Sequence, residues 1–100
     1  MSSSPYETDL SVTPPSYQMS AMASESFAFD AGEAITGATA VLVDRLTRSA
    51  AGTVSSSVAG QVCDATVSGL TFGDVYELII TFTNADGITW SRTLVIECVA

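Results

Sequence analysis

The sequence predicts an all-β domain, a sandwich or barrel of six or seven short strands, led by an extended N-terminal arm. Three observations predict it. From Ser24 onward, runs with period-two alternation recur. Turn signals built on Gly, Asp and Asn separate those runs. The one stretch with helical potential, "GEAITGATAVLVDRLTRSAA", carries two glycines and many β-branched residues, which oppose a helix.

Residues 1–22 form the arm and residues 23–100 the sandwich domain. The arm, "MSSSPYETDLSVTPPSYQMSAM", is rich in Ser, Thr and Pro and lacks a sustained period. Pro14-Pro15 favours extended polyproline geometry and bars a helix before it. A neighbouring subunit is the natural surface for such a segment.

In "ESFAFD", Phe27 and Phe29 alternate with polar or small residues, a half-buried strand. "DAGE" is a turn. "ITGATAVLVDRL" puts Val41 and Val43 on one face and Ala40 and Leu42 on the other, a strand open to burial on both sides. "TRSAAGT" is a loop turning at Gly52. "VSSSVAGQ" is a weak strand, and "VCDATV" brings Cys63, Ala65 and Val67 to one face. "VYELIITFT" places Tyr76, Leu78, Ile80 and Phe82 together. "NADG" turns the chain, with Asp86-Gly87 setting the hairpin register because a positive φ costs glycine nothing. "ITWSRTLVIECV" closes the domain with Trp90, Leu94, Ile96 and Cys98 on one side.

The formal net charge is -8, with three arginines, no lysine and no histidine. Nucleic-acid binding neutralises phosphates with cations, so that class is excluded, and anionic membrane surfaces are disfavoured. No run approaches the roughly 18 apolar residues of a membrane helix. Only 14% of residues are charged while 47% are hydrophobic, and Ser, Thr and Ala fill the difference. Two readings fit: a Ser/Thr-covered β domain, or a surface largely covered by partners, since interface cores are depleted in charge.

Leu70, Gly73 and Tyr76 spell L-x-x-G-x-x-Y at the entrance to a strand, one hairpin before the C-terminus. This resembles the tyrosine corner of immunoglobulin-like and fibronectin-III-like sandwiches, in which the hydroxyl reaches back to upstream backbone. The resemblance covers roughly Ser24 to Val99 and implies an immunoglobulin-like antiparallel β-sandwich. Two departures stand out. Leu78 occupies the place of the antibody-type cysteine, and the single Trp, Trp90, lies on the last strand. The chain also resembles immunoglobulin-like virion proteins of tailed bacteriophages, of the fibre–tail adaptor type. The matching positions are Phe27, Phe29, Gly32, Glu33, Ile35, Ala38, Gly73, Tyr76, Leu78, Thr83, Gly87, Thr89 and Arg92. This resemblance implies a structural part held by protein contacts, without chemistry of its own.

The residues themselves point the same way. Nucleophilic catalysis needs a base beside Ser, Thr or Cys, and neither His nor Lys is present, so no enzyme is expected. Calcium needs six to eight oxygens; Asp30, Glu33, Asp74 and Asp86 sit in turns that recruit Asp for backbone reasons, and no cofactor is expected. Cys63 and Cys98 match no zinc spacing; buried free thiols are favoured over a bridge in a reducing cytoplasm.

The expected role is that of an adaptor between tail or neck and fibre components of a virion, assembled in the host cytoplasm without a secretory leader. Its partners would be other virion proteins and copies of itself. Candidate interface residues are Pro14, Pro15 and Tyr17 in the arm, and Arg45, Arg48 and Arg92, which otherwise balance local charge. A capsid decoration protein shares these features. An adhesin or carbohydrate-binding module would instead expose Tyr6, Tyr17 or Trp90.

Overall fold

The period-two runs become strands in the computed structural model, which describes residues 16–99. The strands are β1 (Ser16–Met19), β2 (Glu25–Asp30), β3 (Gly37–Asp44), β4 (Thr53–Ala59), β5 (Val62–Ser68), β6 (Val75–Thr83) and β7 (Thr89–Cys98). One sheet has the order β1-β7-β6-β3 and the other β2-β5-β4. All pairings are antiparallel except β1 with β7. The two sheets pack face to face as a sandwich, not a closed barrel.

β6 shows why the sheets close on each other. Its burial alternates along the whole strand, and Leu78, Ile80 and Phe82 are fully buried with Tyr76 close behind. Each such side chain contributes about 1.5–3 kcal/mol on leaving water. From the facing sheet, Phe29, Cys63, Ala65 and Val67 complete the core. β5 supplies small residues where β6 supplies large ones, so the layers interdigitate.

Residues 16–22, expected in the arm, are instead the first strand and turn of the domain. β1 pairs Ser16 to Met19 with Val95 to Cys98, and Met19 is buried in the core. The strand continues into the body, since the Val99 N–H donates to the Met19 carbonyl. The rest of the arm, including Pro14 and Pro15, lies outside the described residues.

A second correction concerns β3. Burial on both faces was open from sequence, but β3 is the edge of its sheet, and Val41 is exposed while Leu42 is buried. An antiparallel strand whose outer side faces solvent buries one face only.

The passage from β3 to β4 carries the chain between the sheets. Asp44 organises its first turn: one carboxylate oxygen accepts the N–H groups of Leu46 and Thr47. Gly52 then crosses with φ of 67°, and a Cβ there would stand 2.9 Å from a Leu42 methyl and 3.1 Å from the Ser68 carbonyl. Both the dihedral and the space demand glycine. Gly52→Ala is therefore expected to lower unfolding free energy by about 2 kcal/mol in urea titration, with an unchanged slope.

Candidate functional site

Leu70, Gly73 and Tyr76 meet at the passage from β5 to β6. Thr71 to Asp74 form a turn closed by the Asp74 N–H on the Thr71 carbonyl. Gly73 takes the third position with φ of 92°, which a type II turn requires. The Gly73 N–H donates to the Cys98 carbonyl, and the Cys98 N–H to the Asp74 carbonyl, tying the turn to the end of β7. Leu70 is buried beneath it. The Tyr76 hydroxyl accepts the Thr71 N–H at 2.8 Å. Tyr76→Phe keeps the ring and frees that N–H at a site close to solvent. A loss of about 1 kcal/mol is expected, read as a lower denaturation midpoint.

The turn Asn84–Ile88 joins β6 to β7. Gly87 holds φ of 79°, and its N–H donates to the Asn84 carbonyl. The side chain of Asn84 was missed in the sequence and does as much as Asp86-Gly87. Its Oδ1 accepts the N–H groups of both Asp86 and Ile88, at 3.0 Å each. Asn at the first position of such a turn is the available signal.

The arginines all find partners within the domain. Arg45 and Arg48 flank one carboxylate, Glu77 of β6. Arg48 does so from a left-handed backbone conformation, with φ of 62°. Arg92 lies 6.0 Å from the Phe29 ring centre and donates to the Asp30 carbonyl. Exposed pairs of this kind are worth about 0–1 kcal/mol. Glu77 is the more sheltered partner, so it gains most from being clamped.

Of the aromatics expected to face a glycan, Tyr17 and Trp90 are committed to packing, and Tyr6 lies outside the described residues. Tyr17 meets Phe27 edge-on at 5.1 Å and donates its hydroxyl to Glu25 at 2.6 Å. This pair closes the side of the sandwich between β1 and β2. Trp90 lies against Phe82 with ring centres 5.7 Å apart. The bond to Glu25, and then the charge of Glu25, raise the Tyr17 phenol above its ordinary value. A raised phenol favours the protonated form in the fold. The contribution is therefore present below the unfolded value and lost as pH rises through the folded one. Glu25→Gln is expected to bring the Tyr17 titration back toward the ordinary value, followed by NMR of its ring carbon.

Cys63 and Cys98 are both buried free thiols. Burial, and secondarily Asp64, push the Cys63 thiol up, away from the reactive thiolate. Among the described residues no group of three or more His, Cys, Asp or Glu side chains could hold a metal. Asp30 uses its carboxylate on the Gly32 N–H and the Gln61 amide, and Glu33 accepts from Asn84.

Two surfaces remain. The pairings bring the connections 20–24, 45–52 and 69–74 and the end of β7 to one end of the sandwich. There Met22, Leu46 and Phe72 stand 93%, 91% and 66% exposed, with Val99 beside them in the fold order. The second surface is β4, the edge of its sheet, exposed over most of its length. Neither was found from sequence. The available signal was an apolar residue at a turn position, as in "LTFGD" and "DRLT".

No family model matches the chain. Searches of the curated proteins and of the solved structures likewise find no significant match.

Proposed function

We propose that this chain is a structural subunit that works by protein–protein contact, an adaptor in the tail or neck of a tailed-phage particle. The observation carrying the contact role is the apolar end formed by Met22, Leu46, Phe72 and Val99. Large apolar side chains gathered at one pole of a small domain mark a surface that another protein covers. Among the described residues that pole carries the most exposed large apolar side chains, and β4 is an edge strand exposed over most of its length.

The sandwich is read as immunoglobulin-like. β2, β5 and β4 lie in one sheet and β3, β6 and β7 in the other, the grouping expected of that topology for those six strands, while β1 lies beside β7 rather than in the β2 sheet. The Tyr76 hydroxyl on the Thr71 N–H supports it. The phage assignment rests on the sequence pattern, whose second half runs along the β6–β7 hairpin from Gly73 to Arg92.

The test is mass spectrometry of purified particles from a lysate of the host. The chain should be present at a copy number matching a tail or neck ring. A copy number matching the capsid lattice would assign the decoration role instead. Absence from particles would overturn the virion reading. In the same system Phe72→Glu together with Leu46→Glu should leave circular dichroism unchanged and abolish incorporation; normal incorporation would overturn the contact role of this end.

A further inference from the structure

We infer that β4 is an acceptor edge, and that its occupant is the segment Tyr6–Val12 of a second copy of this chain. The inference rests on the protein-contact reading above and adds a partner and a site to it.

β4 lacks the devices by which edge strands avoid pairing. It has no proline and no charged side chain across Thr53–Ala59, and its seven residues run without interruption opposite β5. Its inward positions are Val54, Ser56 and Val58, paired with the buried Val67, Ala65 and Cys63. The facing edge strand β3 offers Leu42 at the end near Gly52, but only Ala40 and Ala38 beyond it, both partly buried. This seam is left shallow and apolar, whereas the opposite seam is closed by Tyr17 on Phe27. Val58 remains 39% exposed on the inner side, a position that an added strand would cover.

The chain outside the described residues contains one stretch with the right pattern. In "YETDLSV", Tyr6, Thr8, Leu10 and Val12 alternate with Glu7, Asp9 and Ser11. Added beside β4, the first set extends the inner face over the seam. The acidic set falls beside Thr53, Ser55 and Ser57 of β4, which carry no charge; the nearest like charge on that face, Asp64, lies one strand further on β5. Pro14 and Pro15 have no N–H to pair, so they separate this stretch from β1.

Geometry selects a second copy as the donor. β1 and β3 stand at opposite edges of one sheet, about 14 Å apart over three strand spacings, and β4 lies in the other sheet, about 10 Å further through the sandwich. Val12 is joined to Ser16 through Thr13, Pro14 and Pro15, four Cα-to-Cα steps that reach at most about 14 Å. The segment therefore falls short of its own β4. A head-to-tail exchange of this kind builds a ring or a filament. Because each copy carries a net charge of -8, added salt should strengthen the association.

Sedimentation of the full chain across concentration and salt tests this, alongside Leu10→Glu. The wild type should associate, more tightly at higher salt, and Leu10→Glu should weaken association by about tenfold or more. A synthetic peptide of residues 5–13, titrated into isotope-labelled Leu10→Glu full chain, should shift the amides of β4 and of no other edge strand. Val58→Lys should repeat the loss from the acceptor side; if it fails to fold, Leu10→Glu and the peptide decide. A monomer at every concentration, association untouched by Leu10→Glu, or peptide shifts on β2 or β3 would each overturn the proposal. Particle incorporation keeps the two ideas apart. A Leu10→Glu chain found in particles at the normal level, with association lost, sinks only the arm's role in assembly. A wild-type chain that exchanges arms but is absent from particles sinks only the virion reading.

Discussion

Deletion of residues 2–22 is expected to unfold the domain, whereas deletion of residues 2–15 is expected to leave it folded and monomeric. The longer deletion removes β1 and with it Met19, which is 1% exposed. Emptying a buried Met site alone costs about 2–5 kcal/mol. The deletion also strips β7 of its parallel partner and exposes Phe27, which loses the ring of Tyr17. A domain of this size has a total stability of about 5–15 kcal/mol, so the sum is comparable to the whole. Circular dichroism and urea titration of the two truncations separate the outcomes. A longer truncation with the stability of the shorter would show that β1 adds nothing to the domain.

Phe82→Ala is expected to be the most damaging single substitution, costing about 3–5 kcal/mol. Phe82 is fully buried near the end of the interior strand β6, between β3 and β7. Its ring meets Trp90, the residue opposite it on β7. Truncation leaves a cavity and removes the ring that packs on Trp90, and a close-packed interior relaxes only partly into such a gap. The denaturation midpoint should fall sharply with little change in slope, and Trp90 fluorescence should shift to the red in the native state. A loss under about 1 kcal/mol would mean that the core repacks around the site.

The strands β2, β5, β6 and β7 were legible because half-burial writes itself into alternation. "ESFAFD", "VCDATV" and "VYELIITFT" each bury the face that the pattern marks. The corner was legible too, since Gly73 and Tyr76 are residue types chosen by a dihedral and by a hydroxyl. β1 was not legible. Its four residues are too few for a period, and three of them are exposed, so only Met19 records the burial. The apolar run "ITGATAVLVDRL" carries the strand pattern to Leu46, but Asp44 turns the chain two residues earlier by accepting two backbone N–H groups. The candidate surfaces were hidden for a different reason. An apolar residue in a loop looks the same in sequence whether it folds inward, as Leu70 does, or outward, as Phe72 does.

By itself the sequence determined the strand faces, the glycine turns and the poverty of cations, because these depend on neighbours within a few positions. The tertiary structure decided which strand lies beside which. It placed β1 on β7, 79 residues away for Ser16 and Val95, and it left β4 as a bare edge. It also gathered Met22, Leu46, Phe72 and Val99 at one pole. Edges and poles are created only when distant segments pair, and local alternation carries no record of which partner a strand takes.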